Sequence, residues 1–69
     1  MAIDEQLEQE IMALKTEIDR LDFAIYGHNN EEFNRLHFTA KQKKVQELLS
    51  MRARLLELRE KQARLNKTF

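Results

Sequence analysis

Two histidines are the residues of this chain best suited to chemistry near neutral pH, since an imidazole acts as a general base or binds a metal. His28 and His37 have no acidic partner at a metal-ligand spacing and no serine or carboxylate at a spacing typical of nucleophilic catalysis. With no cysteine, disulfides and thiolate-bound metals are excluded. The one glycine is too few for a phosphate-binding loop. The sequence therefore predicts a protein that is not an enzyme and has no catalytic residues, metal site or cofactor.

Basic side chains in the second half of the chain offer a different chemistry, contact with nucleic-acid phosphates. The candidates for such contacts are Lys41, Lys44, Arg52 and Arg59. Acidic residues interrupt the basic ones, and 12 basic against 12 acidic residues give a formal net charge of zero. No basic zipper, helix-turn-helix or aromatic stacking platform accompanies them. A small nucleic-acid-binding regulator is therefore kept as the alternative to a solvated charged surface.

Charge is divided unevenly along the chain. Residues 1–26 hold seven acids and two bases, whereas residues 27–69 hold five acids and ten bases, which gives −5 and +5. Opposed helices of opposite sign attract each other. This pattern favours antiparallel pairing within a chain and between chains.

Helices must position these side chains, because the 69 residues include one glycine, no proline and many strong helix formers. Gly27 opens the one cluster of turn formers, and we predict that it takes a left-handed conformation just past a helix end. Asn29 and Glu32 match a capping box for the next helix. We predict an all-α fold, an antiparallel two-helix hairpin with coiled-coil character. Its single domain, 1–69, would contain helix 1 at about 3–26, a turn at 27–29 and helix 2 at about 30–66.

Apolar residues at alternating steps of four and three form a seam on each helix. The seam of helix 1 contains Leu7, Ile11, Leu14, Ile18, Leu21 and Ile25. The apolar members of the helix 2 seam include Leu48, Met51, Leu55, Leu58, Leu65 and Phe69. Lys44 also falls on the second seam, unless the true seam passes one position aside through Val45. Both arrangements stay open from the sequence.

A difference in helix length predicts an unpaired end. Helix 1 would span about 35 Å and helix 2 about 55 Å. Folding back from the turn pairs Leu7 with roughly Met51, so the end of helix 2 has no partner within the chain. That overhang carries Leu58, Leu65 and Phe69, which we therefore predict to bind another polypeptide. The alternative is that this end frays.

A second set of apolar residues lies off the two seams. Met12 and Phe23 lie off the first seam, and Leu49 and Leu56 form a second row on helix 2. These residues form either a contact surface for a target protein or half of a four-helix core in a dimer. We predict a small protein-interaction module, acting as an adaptor, co-chaperone, assembly factor or inhibitor. A homo-oligomer is expected, with a dimer favoured.

The chain contains no apolar run of the roughly 20 residues needed to span a bilayer. Its first residues are acidic where a signal peptide is basic and then apolar. The sequence therefore predicts a cytoplasmic protein without membrane association.

Overall fold

A computed structural model describes residues 2–28 and 30–67 of the protein, with side chains described over 5–28 and 30–65, and most of these residues are helical. Helix α1 is Ala2–Tyr26, helix α2 is Glu31–Asn34 and helix α3 is Phe38–Lys67. No strand occurs among the described residues, and this confirms the predicted all-α class.

The two long helices pack side by side and run in opposite directions. Successive cavities pair one leucine of α1 with one residue of α3: Leu21 with Met51, Leu14 with Leu58, and Leu7 with Leu65. Residue numbers rise along α3 as they fall along α1, so the helices are antiparallel. The molecule measures 50 × 18 × 15 Å, the dimensions of two adjacent helices in one layer.

The core is small and lies along the seam predicted for helix 1. Ile18, Ile25 and Leu48 form one buried cluster, and Leu7 is buried nearer the end of the layer. Partly buried side chains surround the cluster: Leu14, Leu21, Phe33, Val45, Met51 and Leu55. Burial of each large apolar side chain contributes about 1.5–3 kcal/mol. Few side chains of a single chain reach full burial, so its own core stabilises it only modestly.

The sequence allows the second seam to pass through either Lys44 or Val45. In the structure both side chains are half-buried. Val45 packs against the core cluster. Lys44 lines a cavity at the α2 end of the layer, beside Phe33 and Leu36. The apolar contact is therefore made by Val45, while the lysine stem covers the neighbouring cavity.

The connection between the long helices differs from the predicted single helix over 30–66. The chain leaves helical conformation at 35–37, where the Leu36 N–H donates to the Phe33 carbonyl oxygen at 3.1 Å. No glycine or proline lies at this break, so local propensity did not indicate it. The physical reason is tertiary, because the break allows Phe33 to pack against the core cluster.

The break also changes the register of α3 against α1. The continuous second helix predicted from the sequence would place Leu7 beside Met51. In the structure Leu7 lies beside Leu65. The two helices have 25 and 30 residues and are similar in length. The predicted overhang is therefore wrong for Leu58 and Leu65, which are half-buried beside α1. Phe69 lies outside the described residues.

Gly27 directly follows the last residue of α1, at a position where a larger side chain would not fit. No glycine of the described chain has a positive φ, so the predicted left-handed conformation is wrong. The Gly27 N–H donates to the Phe23 carbonyl oxygen at 2.7 Å. A Cβ atom at this position would lie 2.7 Å from Phe23 Cδ2 and closer still to the Phe23 carbonyl oxygen. Glycine is thus required by the close approach of Phe23 and not by an unusual backbone angle.

Asn30 connects the end of α1 to the start of α2. Its Nδ2 donates to the Ile25 carbonyl oxygen at 3.1 Å, and its Oδ1 accepts from Asn34 Nδ2 at 3.1 Å. The side chain of Asn30 forms no hydrogen bond to cap α2. The capping box predicted from the sequence depends on Asn29, which lies outside the described residues.

Candidate protein-binding surface

An ion pair marks one side of the two-helix layer. Arg52 Nη2 donates to Asp22 Oδ1 at 3.0 Å, so these two positions share a side. Around α1, at 3.6 residues per turn, Asp22 lies about 40° to one side of the buried Ile18 and Glu17 lies about 100° to the other. The layer therefore has two distinct faces.

Large hydrophobic side chains remain exposed on the side of this ion pair. They are between 56% and 72% exposed, and they are Met12, Phe23, Tyr26, Phe38, Leu49 and Leu56. On α3, Leu49 lies three residues before Arg52 and Leu56 lies four residues after it, spacings that place all three on one helical stripe. We call these six exposed side chains the apolar face.

The α1 half of the apolar face follows from the same spacing. Tyr26 lies four residues after Asp22, and Phe23 lies three residues before Tyr26. Met12 precedes Phe23 by three helical turns. The structure thus brings Met12 and Phe23 to the same side as Leu49 and Leu56, as the proposed contact surface requires. Tyr26 was not among the residues predicted for the interface, although its spacing from Phe23 was the signal for it.

Phe38 extends the apolar face to the end of the layer near the turn. It is the first residue of α3 and lies two heptads before Arg52. With Val45 it lines a shallow cavity of about 370 Å³ that the stems of Lys41 and Gln42 border. The apolar face therefore includes an open cavity at this end.

The opposite side of the layer, which we call the charged face, has a different character. Beside the seam leucines, the cavities that open there are lined by charged side chains: Glu10, Glu17, Arg20, Glu47, Arg54 and Lys61. None of the large exposed hydrophobic side chains of the described chain lies on this side. The charged face is therefore suited to contact with water, and the apolar face is suited to contact with another apolar surface.

The accessible surface of the single chain is large. It measures 6002 Å² for a chain of 8.3 kDa. A compact monomer of this mass exposes about 4,600 Å², so the excess is about 1,400 Å². A standard protein interface buries about 800 Å² on each partner. The single layer therefore exposes enough surface for a partner of ordinary size.

The residues predicted to contact phosphates do not form a separate basic patch. Arg52 is in the ion pair with α1. Lys41 Nζ lies 5.8 Å from the centre of the Phe33 ring. Lys44 is half-buried and Arg59 is exposed. These four positions lie along the side of α3 near α1 and are not grouped on its outer surface.

Within the described residues, no three histidine, aspartate or glutamate side chains come together as a metal site. Over that same part of the chain, no helix combines the length and the hydrophobicity needed to cross a bilayer.

Comparisons with protein-family models, with curated proteins and with solved structures found no match for this chain.

Proposed function

We propose that this chain is a non-enzymatic protein-binding module, a helical hairpin that acts by covering its apolar face with another polypeptide. One observation carries the proposal: six large hydrophobic side chains, each more than half exposed, share one side of a two-helix layer. Full burial of such a side chain contributes about 1.5–3 kcal/mol, so a partner that covers the apolar face gains several of these increments. A group of large exposed hydrophobic side chains on one side of a protein is typical of interaction sites.

The polypeptide that we propose as the first partner is a second copy of the chain. Two layers stacked through their apolar faces would form a four-helix bundle with coiled-coil packing. The exposed hydrophobic residues would then lie at its centre and the charged faces would remain in solvent. Such a dimer would also cover part of the excess accessible surface of the single layer. Adaptor, co-chaperone, assembly factor and inhibitor are the roles consistent with this architecture, and a cytoplasmic location stays a prediction.

The test is a double substitution on the apolar face, Leu49→Glu with Leu56→Glu. We expect the unmodified chain to have the mass of a dimer in light scattering and the variant to have the mass of a monomer. Both should retain helical circular dichroism, because these leucines are exposed in the single layer. The matched control is Ala13→Glu, an exposed position on the charged face that should leave the dimer intact.

Three results would contradict the proposal. A monomeric mass for the unmodified chain at high micromolar concentration would exclude self-association. Equal masses for the chain and its double variant would exclude the apolar face as the interface. If the monomeric chain bound duplex DNA or RNA with an affinity that fell steeply with salt, the nucleic-acid-binding alternative would replace ours.

A further inference from the structure

We infer that the second copy docks with its α3 across from α1 of the first, so that the turns of both chains lie at the same end of the dimer. This inference rests on the proposed self-association through the apolar face. It adds the direction of docking, which neither the exposure of the hydrophobic residues nor their number determines.

Opposite charges on the two helices are the first argument. α1 contains seven acidic and two basic residues, whereas α3 contains three acidic and nine basic ones. The difference persists beside the apolar face itself. On α1 its neighbours include Asp19, Asp22 and Lys15, and on α3 they include Arg52, Arg59 and Glu60, so each edge keeps a net charge of the same sign as its helix. The α1 edge of the apolar face is therefore acidic and the α3 edge is basic.

Two-fold symmetry allows two ways of stacking identical faces with their helices aligned. An axis parallel to the helices places each α1 against the partner's α3 and puts both turns at one end. An axis across the helices places α1 against α1 and α3 against α3, with the turns at opposite ends. The first arrangement opposes acidic and basic helices twice, while the second opposes like charges twice. Like-charge juxtaposition across an interface disfavours that arrangement.

The position of the aromatic side chains is the second argument. Phe23 and Tyr26 lie in the last turn of α1, and Phe38 begins α3. All three are exposed at the turn end of the apolar face. Only the same-end arrangement brings the aromatic residues of both chains together in one cluster. Contacts between aromatic side chains are favourable, so the positions of these residues favour the same arrangement as the charges of the two helices.

The arrangement can be tested by a distance measurement, because the chain has no cysteine of its own. His28→Cys places one nitroxide label at the exposed turn. The same-end arrangement predicts an intermolecular distance below about 30 Å in pulsed EPR, given interhelix spacings of 8–10 Å. The opposite-end arrangement predicts a distance near the 50 Å length of the molecule.

A second label position supplies the control. Glu5→Cys lies at the other end of the layer and is exposed. Alone, it should also give a short distance in the same-end arrangement. A mixture of the Glu5→Cys and His28→Cys variants should give a long one between unlike labels.

The outcomes separate this inference from the proposed function. Short distances between like labels support the same-end arrangement. A dimeric mass with like labels near 50 Å apart would overturn the inference and leave self-association standing. A monomeric mass with no dipolar coupling between labels would overturn both the same-end arrangement and the proposed self-association.

Discussion

Replacement of Leu56 by alanine measures how much a partner gains by covering the apolar face. The side chain is 61% exposed in the single layer. The substitution removes three carbons, and each contributes about 0.8 kcal/mol when fully buried. With about six-tenths of that burial left for a partner, the loss is about 1.5 kcal/mol per chain and about 3 kcal/mol per dimer. We expect the Kd of the dimer to rise roughly a hundredfold.

The matched control is Leu58→Ala, which removes the same three carbons from the other side of α3. Leu58 is half-buried and lies beside Leu14 of its own chain. This variant should lower Tm and leave the Kd unchanged, because it weakens contacts within the layer. Sedimentation velocity over a dilution series measures the Kd of each variant, and thermal unfolding followed by circular dichroism measures its Tm.

The opposite result would refute the reasoning. If Leu58→Ala raised the Kd and Leu56→Ala did not, the interface would involve the C-terminal set predicted from the sequence, Leu58, Leu65 and Phe69. The apolar face would then be ordinary exposed surface. Because the two leucines are two positions apart on one helix, differences in helix propensity or expression would not explain such a contrast.

Other substitutions test the layer itself. Leu48→Ala, at a side chain only 1% exposed, should lower the free energy of unfolding by about 2–5 kcal/mol in urea titrations at fixed protein concentration; a loss near zero would contradict the assigned core. Gly27→Ala should lower the same quantity by about 1–3 kcal/mol, because the new methyl group overlaps Phe23; an unchanged Tm would show that the turn adjusts freely. Asp22→Asn should lower the free energy of unfolding by only about 0.2–1 kcal/mol, since both partners of the ion pair are about half exposed. This loss should shrink as salt is added. A larger loss that does not change with salt would indicate that Arg52 depends on the pair for its packing.

The sequence identified most residues of the apolar face. Met12, Phe23, Leu49 and Leu56 lie off the seams of their helices, and helical spacing alone places them away from the intramolecular contact. Periodicity does not show that the four residues lie on one side of the layer. That conclusion needs the relative direction of the two helices, which the successive cavities show, and a contact that marks the shared side, which Asp22 and Arg52 supply.

The sequence by itself determined the helical class, the end of α1 and the α1 seam through Ile18 and Ile25, because these follow from glycine placement and periodicity within one segment. Only the tertiary structure decided the break at 35–37 and the register that follows from it. No local propensity marks that break, since its benefit comes from packing Phe33 on residues distant in sequence. The break in turn placed Leu58 beside α1 and removed the predicted overhang.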